Sequence, residues 1–202
     1  AQLDPHFVFN TLTAIGADIQ ENKPDQAYEY FVKVSNLLRS SINGNVGITR
    51  PLKDEMEFVE NYLLLQKYRF GEKFSYTLMV NEGVDVGVLI PKMCIQIFVE
   101  NALKHGLEHK QGLGLLKVDV SRDAGLLRIR VEDNGVGREQ SQRLRTRSNG
   151  RGLQVFAQFF DILNKYNAIA AGYTITDLYD DSGRPIGTRV DLWIPDDYRY
   201  AV

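Results

Sequence analysis

A single cysteine, Cys94, stands in 202 residues, so no internal disulfide is possible. With no metal-ligand cluster around it, the expected role is a buried thiol in a reducing compartment. No apolar run approaches the roughly 20 residues of a membrane span, and no signal peptide precedes the first patterned segment. Net charge is small as well: 24 basic against 26 acidic residues leave -2 at pH 7. That balance gives no electrostatic reason for nucleic acid or an anionic membrane as the main partner. Internal repeats and low-complexity tracts are also missing. What remains is an ordinary globular composition, 44% hydrophobic and 25% charged, at a length that suits one domain or a small pair. The chain opens without an initiator methionine, inside a patterned segment. It is therefore expected to be the soluble portion of something longer, with any sensor or membrane segment upstream.

The opening "LDPHFVFNTL" sets an imidazole and a carboxamide one turn apart. Val8, Leu12, Ile15 and Ile19 fall at alternating four- and three-residue steps, which predicts a helix over about 5–20 with a narrow apolar seam. Asp4 can cap it and Pro5 can take its first position. His6 and Asn10, each two positions from Val8, fall roughly 200° around from the seam, on a face expected to meet solvent or a partner. "ENKPDQA" then supplies a turn and a second proline start, and Ala27, Phe31, Val34, Leu38 and Ile42 trace one stripe of a second helix. A helical hairpin with one apolar side usually pairs with a copy of itself as a four-helix bundle, so a homodimer through these helices is implied.

"INGNVGITRP" is a glycine- and asparagine-rich break. It suggests one unit over 1–46 and a second over 47–202. A third helix is predicted from Pro51 to about Phe70, with Asp54 and Glu55 near its positive end and Leu52, Met56, Val59 and Leu63 on one face. Then come a strand at 73–80, a helix at about 92–105, strands near 114–121 and 126–133, a helix at about 152–165, and strands near 172–179 and 187–194. This order predicts an α+β sandwich, a mixed sheet with helices on one face.

Within the helix at 92–105, "FVENALKHG" spaces Asn101, Lys104 and His105 at i, i+3 and i+4, hence on one face. A carboxamide oxygen suits magnesium, and an ammonium and an imidazole suit phosphate oxygens. A solvated polar face is the plain alternative. "RIRVEDNGVG" tips the balance: Leu127, Ile129 and Val131 point one way along the strand and Arg128, Arg130 and Glu132 the other, so Asp133 falls on the apolar face. A buried anion there needs a donor, and an adenine's exocyclic amine is well suited. Asp-Asn-Gly is a strong hairpin signal, yet "REQSQRLRTRSN" has no alternation for a return strand. It reads instead as a mobile polar loop. Gly135 and Gly137 hinge one side, and Gly150 and Gly152 the other. The second pair leads into a helix whose N–H groups can receive phosphate. Arg138, Arg143, Arg145, Arg147 and Arg151 add positive charge suited to a nucleotide lid. Thr188 shares inward parity with Val190, Leu192 and Ile194, which places its hydroxyl near Asp133.

Together these stretches resemble sensor histidine kinases of the LytS/YehU type, over nearly the whole chain. "PHFVFNTL" looks like that family's phosphoacceptor box, "FVENALKHG" its N box, "DNGVG" its G1 box and "NGRGL" its G2 box, with Leu153 closing the last. "LLQKYRFGEKF" looks like the link into a GHKL-type ATP-binding domain. The resemblance implies ATP and Mg2+ as cofactors, His6 as phosphoacceptor, Asn101 as magnesium ligand, and Asn10 where related kinases position water for dephosphorylation. It further implies a response regulator as partner, of the LytTR type, and a cytoplasmic portion of an inner-membrane sensor. Two departures stand out: Val155 occupies a position where asparagine is common, and Phe7 one where other histidine kinases place an acid. Two alternatives keep the ATP site without a phosphohistidine. One is a hydrolase of the gyrase and chaperone branch, which needs a glutamate where Ile97 stands. The other is an ATP-binding pseudokinase or dimerisation module.

Overall fold

The computed structural model describes residues 5–42, 47–139 and 151–200. Two helices, α1 (Pro5–Gln20) and α2 (Pro24–Ile42), form the expected hairpin. Asn22 takes the left-handed conformation (φ 62°), and the Lys23 N–H donates to the Asp18 carbonyl at 2.9 Å, so α1 stops and Pro24 restarts the chain. The proposed Asp4 cap lies outside the described residues.

The buried face of α1 differs from the predicted seam. Phe7, Thr11, Ile15 and Asp18 are buried, whereas Leu12 and Ile19 are exposed and Val8 is half-buried. By 100° per residue the buried stripe lies about 75° around from the expected one. The cause is helix α3 (Leu52–Phe70), which takes one flank of the hairpin. The Phe7 ring meets Tyr62 at 4.9 Å, and Tyr30 stacks on Tyr68 at 3.7 Å. The Tyr68 hydroxyl also donates to the Asp18 carboxylate. On α2, Ala27 and Val34 of the predicted stripe are buried, joined by Leu37, while Phe31 faces out. With the hairpin on one side and the sheet unit on the other, α3 buries a broad face that includes Glu55 and Gln66, while Lys53, Asp54, Glu57 and Glu60 stay exposed.

Five strands follow in the order β2-β4-β5-β7-β6: β2 (Phe74–Val80), β4 (Gly114–Asp123), β5 (Leu126–Asp133), β6 (Gly172–Tyr179) and β7 (Pro185–Pro195). Only β2 with β4 is parallel. The β4–β5 hairpin turns at Ala124 and Gly125, both at positive φ, as a two-residue turn with right-handed strand twist requires. Leu116, Val118 and Val120 on β4, with Leu127, Ile129 and Val131 on β5, are buried, while Lys117, Arg128 and Arg130 are exposed. Ion pairs such as Arg130 to Asp191 at 2.7 Å lie on the solvated side. Helices α4 (Gln96–Asn101) and α5 (Arg151–Leu163) lie over the apolar side, where Phe98, Phe156 and Tyr173 form an aromatic cluster with centroids 5.1–5.7 Å apart. This is the α+β sandwich with a mixed sheet and helices on one face.

Two short strands were not foreseen. Within the 42–51 break, β1 (Thr49–Pro51) pairs antiparallel with β3 (Leu89–Pro91), and the Lys92 N–H donates to the Ile48 carbonyl at 3.0 Å. Strands of three residues carry no periodicity to read.

Candidate nucleotide site

Asp133 is 5% exposed at the inward end of β5, where strand parity placed it. Its Oδ1 accepts the Gly135 N–H at 2.8 Å. Burial pushes the carboxyl up to about 6, opposed by hydrogen bonds from the Gly135 and Thr188 backbone. Thr188 lies directly opposite Asp133 in the β5–β7 register and is half-buried. The Asp-Asn-Gly stretch is not a hairpin turn. The Asn134 side chain is bound to the start of β4, accepting the Leu115 N–H at 2.7 Å and donating to the Leu113 carbonyl at 3.2 Å.

Helix α4 continues past Asn101 as a π-helical turn, Ala102–Leu107. The Glu108 N–H reaches the Leu103 carbonyl at 2.8 Å, five residues back. The wider turn rotates Lys104 and His105 relative to Asn101 from where an unbroken α-helix would set them. Asn101 and His105 are half-buried and Lys104 is exposed. The π turn also carries Gly106 onto the turn after β5. A Cβ at Gly106 would sit 2.6 Å from Asp133 Oδ1, and one at Gly135 would sit 2.4 Å from the Gly106 backbone. The Val136 N–H donates to the Gly106 carbonyl at 3.1 Å. Backbone therefore meets backbone where the helix bearing Asn101 joins the turn holding Asp133. Only glycine permits that approach.

Gly137 is buried, with φ 77°. Gly152 opens α5 close to α4, since a Cβ there would fall 2.9 Å from Ile97 Cδ1, and Leu153 beside it is half-buried. Gly150, Arg143, Arg145 and Arg147 lie outside the described residues, as do the side chains of His6 and Arg151. His6 itself is in the first turn of α1, next to the buried Phe7, and Asn10 one turn on is half-buried. Arg138, counted among the lid charges, is instead engaged by Asp177 through two bonds of 2.7 and 2.6 Å. A bidentate guanidinium–carboxylate pair leaves little free positive charge.

Sequence reasoning overlooked Gly106 and Gly187. A Cβ at Gly187 would meet the Asp133 carbonyl oxygen at 2.0 Å. Gly106 directly follows His105 in the quoted stretch, so its signal was present; the partner it approaches was not. The donor set fits a magnesium nucleotide. Among the described residues no group of three His, Cys, Asp or Glu side chains is placed to hold a bare ion. A single carboxamide oxygen at Asn101 suits Mg2+ that arrives with its phosphate ligands.

Residues 1–74 match the family model described as Histidine kinase. Sensor histidine kinase YesM of Bacillus subtilis is 32% identical over 153 residues, 76% of this chain and 26% of that protein. Sensor protein LytS of Staphylococcus haemolyticus is 34% identical over 137 residues, 68% of this chain and 23% of the relative. The chain thus spans about a quarter of the length of these curated relatives. Among solved structures, the catalytic domain of histidine kinase ThkA gives a TM-score of 0.47 at 14% identity, covering 73% of this chain and 96% of that one. The chain is thus a homologue of sensor histidine kinases of the LytS and YesM kind, and its first 74 residues match the Histidine kinase model.

Proposed function

We propose that this chain is the kinase core of a bacterial two-component sensor. ATP binds with its adenine amine on Asp133 and its magnesium-bound phosphates against Asn101, with Lys104, His105 and the Gly152 end of α5 toward phosphate oxygens. An imidazole nitrogen of His6 attacks the γ-phosphorus as the bond to the β-phosphate oxygen breaks, ADP leaves, and a phosphoramidate forms. The phosphoryl group then passes to an aspartate of a response regulator, of the LytTR type by resemblance. Asn10, one turn from His6, positions water for removing the phosphoryl group from the regulator.

The observation that carries this reading is the buried Asp133 carboxylate, fixed by Gly135 and pressed against Gly106 of the Asn101 helix. The division into a phosphotransfer hairpin over 1–46 and an ATP-binding unit over 47–202 belongs to the same proposal. So do a homodimer through α1 and α2 and a cytoplasmic location below an inner-membrane segment of the longer protein. Among the described residues no helix is long and apolar enough to cross a membrane. Hydrolysis as the main activity is disfavoured, because Ile97 packs by Gly152 where that branch carries its glutamate base. The decisive experiment is incubation with γ-labelled ATP and magnesium. Acid-labile label is expected on wild type and none on His6→Gln, with nucleotide binding intact in both. Label retained by His6→Gln would remove His6 from its role.

A further inference from the structure

Linker strand β1 and the helix that carries Asn101 meet at one buried carboxylate. Glu55, in the first turn of α3, is fully buried. Its Oε2 accepts the Met93 N–H at 3.1 Å, and its Oε1 accepts those of Ile95 at 3.2 Å and Gln96 at 3.1 Å. These are N–H groups at the entrance to α4, which has no side-chain cap at its own N-cap residue, Ile95. A carboxylate from another helix thus satisfies donors that would otherwise be orphaned. The fourth neighbour is Arg50 of β1, whose Nε lies 2.5 Å from Glu55 Oε2 and whose guanidinium lies over the Phe58 ring at 5.3 Å. At the far end of the same helix, Arg69 of α3 donates to Glu108 at 2.9 Å. Helix α3 therefore holds the Asn101 segment from both sides.

Asn101 is five residues beyond Gln96, about 7.5 Å along an α-helix at 1.5 Å per residue. The α-helical stretch before the π turn is only Gln96–Asn101, so a tilt at its entrance displaces Asn101 directly. Ligand groups need placement within about 0.5 Å to act. Asp133 is on β5, a different element, and receives nothing from Glu55. We propose that Glu55 is a positioning residue for the contact of Asn101 with the metal and phosphates, and that its ion pair with Arg50 ties the setting of α4 to the linker below the helical hairpin. The inference rests on the reading of Asn101 given above.

The two contacts predict a split that a general loss of stability does not produce. Calorimetric titrations with adenosine, and with ATP in the presence of EDTA or of Mg2+, are made on wild type, Asn101→Ala, Glu55→Gln and Arg50→Gln. Glu55→Gln keeps the shape but turns an amide NH2 toward backbone donors. It is expected to lose about tenfold or more of the affinity that Mg2+ adds to ATP, while adenosine affinity stays that of wild type. Arg50→Gln, which leaves the three N–H contacts in place, is expected to lose a smaller part of the same gain, and it decides the matter if Glu55→Gln does not fold. A full Mg2+ gain in these variants, or an equal fall for adenosine and for magnesium ATP, overturns the inference alone, provided Asn101→Ala has lost the gain. Should Asn101→Ala keep it, the site reading fails and the inference falls with it.

Discussion

Asp133 ends β5 on the face where Leu127, Ile129 and Val131 are buried, and its carboxyl titrates at about 6 against an ordinary 3.8. A carboxyl raised in the folded state is stabilising while protonated, below the unfolded value, and that stability is lost as pH rises through about 6. Above that pH the empty site carries a cost of about 3 kcal/mol, from 1.36 kcal/mol per pH unit. Asp133→Asn removes the titration, because the carboxamide oxygen still accepts from Gly135. Thermal melting should show the variant more stable than wild type at pH 8, with the gap closing as pH falls from 6 toward 4. ATP affinity should move the other way, falling about tenfold or more in the variant, whose NH2 opposes the adenine amine. In wild type it should weaken below pH 6. A variant that binds ATP as tightly as wild type would leave the base without its partner. Asp133 was legible because strand parity is local, whereas the Glu55 contacts run to residues 40 and 41 positions away and no short pattern records them.

At the scale of elements, the five long strands and the helices were readable because each is a periodic run set off by glycine or proline. The π turn at Ala102–Leu107 was not, since an extra residue per turn leaves the apolar pattern almost unchanged. Nor was the rotation of α1. Spacing identifies which residues are apolar, but the face that is buried depends on the neighbour, here α3, which arrives 50 residues later through Tyr68 and Asp18. That contact tests how the hairpin is held. Asp18 is 8% exposed, and the Tyr68 hydroxyl shares its one proton between that carboxylate and the Ala14 carbonyl, 3.0 Å away. Tyr68→Phe keeps the ring stacked on Tyr30 but leaves a buried carboxylate short of a donor, at a cost of about 2 kcal/mol. Hydrogen exchange should speed up across α1 and α2 while β4, β5 and β7 stay protected. Uniform acceleration would mean that the bond supports the whole fold and not the docking of the hairpin.

For the whole molecule, the rotation of α1 has a consequence. With α3 on one flank, the hairpin exposes Phe9, Leu12 and Ile19 from α1 and Tyr28, Phe31 and Val32 from α2. Six exposed apolar side chains on two adjacent helices favour association, and a net charge of only -2 does little to oppose it. In a two-fold interface each substitution appears twice, so a single charge placed there acts on both copies. Phe31→Glu, at a position 52% exposed, should not harm the monomer fold but should shift sedimentation from dimer to monomer with an unchanged circular dichroism spectrum. Helix α5 offers the contrast: Val155 is 64% exposed on the sheet unit, and Val155→Glu should leave the dimer intact. If the Val155 variant dissociates and the Phe31 variant does not, the copies meet through the nucleotide-binding unit. A four-helix bundle built from α1 and α2 would then be the wrong assembly for this chain.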